Sequence, residues 1–188
     1  MFDAEMKVVV AITGASGSIY ARLTIEALLR APEVEQIALI YSDTARDVVA
    51  FEGETIPESD KITLYANDNL FAPPASGSAA YDAMIVVPSS VGTMGRIAHG
   101  LSQTLIERAA DVMLKERRRL VLVVREAPYS LIHLRNMVQL TEAGTVIVPA
   151  SPSFYSHPTT IEQACNTVVE RVISLVGINQ PHYTWQGE

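Results

Sequence analysis

The sequence predicts an α/β fold: a three-layer, doubly wound parallel sheet of the Rossmann-like or flavodoxin-like kind, in one domain over residues 1–188. Three observations carry this. Short runs of β-branched and aliphatic residues alternate with longer amphipathic stretches along the chain. Those runs are apolar at every position, as strands are when helices cover both faces of their sheet. The residues that follow them are polar, glycine-bearing or serine-bearing, and in such sheets ligands sit beyond the carboxyl ends of the strands.

Taken in order, Lys7–Ile12 (KVVVAI) reads as a buried strand, followed by a turn at 13–18 and a helix through about Leu29. Gln36–Tyr41 (QIALIY) is the second strand and Thr44–Glu52 a helix. Residues 53–82 read as irregular, with Pro57, Pro73 and Pro74, although Ile62–Tyr65 has the composition of a short strand. Ala83–Val87 (AMIVV) is the next strand, ending in Pro88-Ser89-Ser90. Helices are predicted over Gly92–Gly100 and Gln103–Arg118, a strand over Leu120–Val124, a helix over Ser130–Thr141, and a strand over Thr145–Val148. Thr160–Val176 reads as a long final helix, with 178–188 as a tail. One rim thus collects Thr13 to Gly17, Ser42-Asp43, Ser89-Ser90, Arg125-Glu126 and Ser151 to Tyr155.

Composition narrows the function classes. An apolar fraction of 48% supplies a sizeable core. A charged fraction of only 19% predicts further burial, in an oligomer or around a cofactor. With 14 Lys and Arg against 21 Asp and Glu, the net charge of −7 disfavours nucleic acid, whose phosphates need a basic face. Cys165 is the single cysteine, which excludes an intrachain disulfide and a cysteine-based zinc site. No apolar run approaches the roughly 18 residues that a membrane span needs. Met1 to Lys7 does not resemble a secretory signal, so a cytoplasmic enzyme is expected.

The turn Thr13-Gly14-Ala15-Ser16-Gly17-Ser18 joins the first strand to the first helix. Its glycines let backbone approach a ligand, and free N–H groups at the helix start attract an anion. Without a ligand, it reads as a tight turn with Ser16 as N-cap. It lacks the lysine of a Walker loop and does not match G-x-G-x-x-G. Asp43 could mimic a ribose-binding acid, but no tyrosine is followed four residues later by lysine, as a short-chain reductase would require. Arg108 and Lys115, seven residues apart on one predicted helix, project from nearly the same face and could clamp a phosphate. The structural alternative pairs Asp111 with Lys115 and leaves Arg117 to Arg119 as a solvated helix end. Arg125 suits bidentate phosphate binding, and Glu126 beside it could exchange a proton with a leaving phosphate; the alternative is a structural ion pair between them. His99, His133, His157 and His182 have no metal-ligand spacing, and no metal is expected.

Together these segments resemble the UbiX-type flavin prenyltransferase family, within a wider group of flavin-binding, decarboxylase-like homo-oligomers. The matching stretches include Thr13 to Gly17, Ala72 to Ser78, Pro88 to Thr93, Glu107 to Asp111, Leu114 to Arg117, Val124 to Pro128, Ile132 to Leu134, Phe154-Tyr155 and Trp185, in family order over nearly the whole chain. The resemblance implies an enzyme that joins dimethylallyl phosphate to reduced FMN without a metal. Its product would be prenylated FMN, the cofactor of a UbiD-type decarboxylase, and its usual assembly a homododecamer. By motif, FMN falls to Gly14, Ala15, Ser16, Ser42, Ser90, Val91, Gly92, Thr93 and Arg125. The prenyl phosphate falls to Ser76, Arg108, Lys115, Arg125, Glu126, Tyr155 and Arg171, often from neighbouring subunits, with Trp185 in the tail. Glu52 matches a family glutamate near the flavin.

Those residue types suit the chemistry implied. Lys115, Arg125, Arg171 and Tyr155 would stabilise a departing phosphate, and Glu126 would pass it a proton. Ser16 and Glu52 would relay a proton from the flavin, and the rings of Tyr155 and Trp185 would face an allyl cation. Where the family often has Trp before Ala-Pro-Pro, this chain reads Asn69-Leu70-Phe71, which makes Phe71 the candidate aromatic wall. Two rivals stand beside this reading: a flavin-dependent cysteine decarboxylase, whose Pro-x-Met-Asn-x-x-Met motif is replaced here by Arg125 to Pro128, and a non-catalytic flavin carrier subunit of a decarboxylase.

Overall fold

A computed structural model describes residues 5–179. Six strands, β1 (Met6–Ile12), β2 (Val34–Tyr41), β3 (Ile62–Tyr65), β4 (Ala83–Ser89), β5 (Arg119–Val124) and β6 (Val146–Pro149), form one sheet in the order β3-β2-β1-β4-β5-β6. Every neighbouring pair is parallel. The helices are α1 (Ser18–Arg30), α2 (Ala45–Phe51), α3 (Val91–Ala98), α4 (Leu105–Lys115), α5 (Leu131–Glu142) and α6 (Ile161–Leu175).

Alternation along each strand feeds two cores. Val8, Val10 and Ile12 point to one face, where they meet α1, α2 and α6. Val9 and Ala11 point to the other, against α3, α4 and α5. All are buried, which is why the strands read as continuous apolar runs. The strand order reverses direction between β1 and β4, so the loops after these neighbours leave toward opposite faces and open a crevice between them.

Several expectations shift. The helix predicted to reach Arg118 ends at Lys115: Arg117 turns left-handed (φ 58°), and Arg119 already opens β5. Arg118 and Arg119 are not a solvated helix end, because Arg118 donates to the Gly77 carbonyl (2.9 Å) and Arg119 to that of Val176 (2.7 Å). The short strand at 62–65 forms on the sheet edge, and 3₁₀ turns at Pro73–Ala75 and Gly77–Ala79 order the segment that follows. Its start is tied to the head of α4, where Leu105 N–H donates to Asn67 O (2.6 Å). Ile178, assigned above to the tail, is buried in the core.

Candidate active site

The first turn is built around a carboxylate from another helix. Gly17 has φ 107°, and a Cβ there would lie 3.0 Å from the Tyr20 ring, so glycine is required on both counts. It is also the N-cap of α1 and offers no side chain to the helix. Glu52 fills that role. Its carboxylate accepts from Gly17 N–H (2.9 and 3.0 Å) and Ser18 N–H (2.7 Å). The expected free N–H groups at these two residues are therefore occupied, and Ser16 is not the N-cap. Burial pushes the Glu52 carboxyl up, but hydrogen bonds from the Ser16 side chain and the Ser18 and Gly17 backbone outweigh it, leaving it below its ordinary range. Ser16 and Glu52, paired above as a relay, are thus in contact.

Local geometry sets that carboxylate. Glu52 is the C-cap of α2, Gly53 takes the left-handed conformation (φ 73°), and Gly53 and Glu54 donate back to Ala50 O and Val49 O (both 3.1 Å). This is a Schellman motif, and it aims the residue before the glycine at the head of α1.

The second turn, after β4, is tied to the first. Thr13 Oγ1 donates to Pro88 O (2.7 Å) and accepts from Ser90 N–H (2.8 Å). Ser90 caps α3, accepting from Thr93 N–H (3.2 Å), while its hydroxyl reaches Thr93 Oγ1 (3.1 Å). Thr93 Oγ1 also accepts from Arg96 (3.1 Å), whose Nε binds Glu107 (2.5 Å). Glu107 is 2% exposed and caps α4, accepting from Gln103 and Thr104 N–H (2.8 and 3.2 Å). Arg96 escaped the sequence reading, and Thr13 was read only as part of the first turn, without its bonds to the second. The Thr104-x-x-Glu107 spacing does announce a capping box, but nothing in one sequence announces its link through Arg96 to Thr93.

The rim gathers exposed glycine backbone and one buried hydroxyl without a hydrogen-bond partner. Gly14 and Gly92 are exposed there, and Ser42 Oγ, at the end of β2, is buried without a hydrogen-bond partner. A buried hydroxyl in that state calls for a partner, which a water or a ligand at the rim can supply. Arg125 leaves the end of β5 with its Cγ 3.9 Å from where a Gly17 Cβ would sit. No ion pair joins Arg125 to Glu126 among the described residues, so the structural pairing offered as an alternative does not form; Glu126 accepts from Ala127 N–H (2.9 Å). Gly14, Ala15, Ser16, Ser42, Glu52, Ser90 to Thr93, Arg125 and Glu126 thus share one rim.

Of the remaining residues expected to bind the donor, Ser76, Arg108, Lys115 and Arg171 lie on other elements of the chain. Arg108 bonds Asp111 (2.5 Å) and Ala75 O (3.1 Å), and Lys115 bonds Glu116, so Asp111 is the partner of Arg108 and not of Lys115. Ser76 lies beside this helix, its hydroxyl 2.9 Å from that of Ser78. Lys115 shortly precedes Arg119, which opens β5 at the end of the sheet remote from the rim. Arg171 rides on α6, across the sheet from α4. Tyr155 is exposed in the segment that leaves the rim end of β6, and Phe71 is fully exposed. Trp185 lies outside the described residues. Among the described residues no group of His, Cys, Asp and Glu could hold a metal ion, and no helix is long and apolar enough to cross a membrane.

Known proteins share this architecture and sequence. The family described as Flavoprotein matches residues 2–177. The flavin prenyltransferase UbiX of Methanocaldococcus jannaschii is 42% identical over 177 residues, covering 93% of this chain and 95% of its own. The chain belongs to the UbiX flavin prenyltransferase family. Within that family, the crystal structure of AnUbiX in complex with FMN and dimethylallyl pyrophosphate superposes with a TM-score of 0.88 at 39% identity, covering 97% of this chain and all of that one. A dodecameric FMN-dependent UbiX-like decarboxylase from Escherichia coli gives 0.89 at 38% identity, with coverage of 97% and 100%.

Proposed function

We propose that this chain, as one flavoprotein-type domain, joins the dimethylallyl group of dimethylallyl phosphate to N5 and C6 of reduced FMN. The product is prenylated FMN, taken up by a UbiD-type decarboxylase. The observation that carries the reading is Arg125: a guanidinium with no ion-pair partner among the described residues, set against the Gly17 turn and beside Glu126. Family membership at about 40% identity over nearly the full length supports it over a cysteine decarboxylase or a carrier.

Reduced FMN supplies the nucleophilic N5 and C6. The chain's residues supply the rest. Ser42, Ser90 and Thr93 with the backbone of Gly14, Ala15, Val91 and Gly92 hold the flavin at the rim. Arg125, with Arg108, Lys115, Arg171, Ser76 and Tyr155 brought from other copies, stabilises the phosphate as the allylic C–O bond breaks and the phosphate leaves with the bonding electrons. Glu126 hands that phosphate a proton. Glu52, held ionised by the α1 N-terminus and set beside Ser16, accepts the proton released from C6 when the C–C bond to that carbon closes, the allyl double bond having taken up the proton that N5 lost when the earlier C–N bond formed.

The same reading makes the protein a cytoplasmic homododecamer, in line with its acidic sequence, its single cysteine and the dodecameric relative. The deciding experiment incubates anaerobic protein with FMNH2 and dimethylallyl monophosphate or diphosphate, then weighs the extracted flavin. A gain of one C5H8 unit is expected with at least one donor. Flavin of unchanged mass with both, from folded and FMN-loaded protein, removes the reading.

A further inference from the structure

Arg22, on the flank of α1, is surrounded by acids from three directions. Its Nε binds Glu54 (2.6 Å), one Nη binds Glu26 on its own helix (3.0 Å), and the other reaches Glu162 at the start of α6 (3.3 Å). The Cys165 thiol and the Tyr20 hydroxyl lie beside this group, both pushed up chiefly by burial. Glu54 is two residues past Glu52 and closes the Schellman motif that aims it. Helix α2 is only seven residues long and buries only Ala45 and Val49, so packing alone holds its end weakly. The carboxylates of Glu52, on the head of α1, and of Glu54, on Arg22 about a turn further along the same helix, fasten the two helices together.

The geometry points to Arg22 as a positioning residue: by anchoring Glu54 it holds the Glu52 carboxylate against Gly17, Ser18 and Ser16. It touches neither ligand of the proposed reaction. The inference rests on the reading of Glu52 as the proton acceptor, and it predicts how that group responds when the clamp is cut.

The test uses the FMN-loaded full-length protein and two variants, Arg22→Met and Glu54→Ala. In each, kcat for prenylation falls on the order of tenfold, the scale expected when a reacting group is displaced by a fraction of an ångström to one ångström. KM for the donor stays within about twofold by the same argument, and the acid limb of kcat against pH moves upward, because Glu52 loses hydrogen bonds that favour its charge. Glu54→Ala is the discriminating variant. Removing a negative charge by itself would move the limb downward, so an upward movement reports lost position. Arg22→Lys, which keeps the charge and one contact, recovers part of kcat. Wild-type kcat and pH profile in both folded variants, or a limb that moves downward in Glu54→Ala, overturn the inference.

A readout without catalysis separates the two claims. The melting temperature against pH contains a contribution from Glu52, identified as the part that Glu52→Gln removes. Glu54→Ala moves that part to higher pH if the clamp exists and, through the lost negative charge alone, to lower pH if it does not. Should Glu52→Gln react at the wild-type rate, the proton-acceptor reading fails while this measurement still judges the clamp.

Discussion

Glu52 illustrates how one side chain can be structural and chemical together. Its carboxylate closes orphan N–H groups of α1, and those bonds keep it ionised. Because its folded value lies below the unfolded one, its stabilisation is complete above about pH 4.3 and disappears as pH falls through the folded value. Glu52→Gln is therefore expected to melt lower than wild type at neutral pH and to lose less on acidification. Thermal melts between pH 3 and 7 check both parts. At Glu126 the effect is on rate: Glu126→Gln should bind FMN and donor normally and slow transfer by about 10²-fold or more, read by stopped-time flavin mass analysis. The types and order of these residues were legible in the sequence. Their contact was not, because Glu52 meets Gly17 across 35 positions of chain.

At the level of elements, the site depends on how helices begin and end. Gly53 sits in the left-handed region, and open space around it leaves backbone strain as the cost of a side chain. Gly53→Ala should cost about 1 kcal/mol in denaturant unfolding and re-aim Glu52, lowering prenylation as well. Helix α4 carries a full capping box from Thr104 and Glu107, and Thr104→Ala should cost about 1 kcal/mol. Glu107→Gln should cost more than a cap alone, because it also weakens a buried acid's bond to Arg96 and so loosens Thr93. The helix boundaries near residue 118 were misread from sequence because KERRR continues a good helical pattern. What ends the helix is tertiary: Arg118 and Arg119 find carbonyls at Gly77 and Val176.

For the whole molecule, the decisive fact is that the cations proposed to hold the donor are dispersed over one chain. Arg125 stands on the rim, Arg108 and Lys115 on one helical layer, and Arg171 on the other. Charge this dispersed cannot hold one phosphate unless copies meet. Exposed Leu131, Ile132, Leu134 and Val138 on α5, with Phe71, Phe154 and Ile161 elsewhere, offer the apolar surface for such meetings. Lys115→Ala is expected to weaken donor binding with FMN retained, measured by titrating each ligand separately. Mixing Lys115→Ala and Arg125→Ala subunits by unfolding and reassembly should restore part of the activity that either homogeneous assembly lacks. No recovery from a verified mixed assembly would place the clamp within single chains, against the arrangement seen here.

The sequence by itself determined the parallel sheet, since runs apolar at every position bury both faces, and it determined the rim, since strand ends must deliver their polar successors to one edge. It also carried the family through short motifs in a specific order. Tertiary structure alone decided that the head of α1 is capped by Glu52, that Arg96 and Glu107 brace Thr93, and that Lys115 and Arg171 lie away from Arg125. The physical reason is distance along the chain. Periodicity and turn chemistry act over a few residues, whereas hydrogen bonds and charges pair whatever the packed sheet brings within about 3 Å, and no single sequence records those meetings.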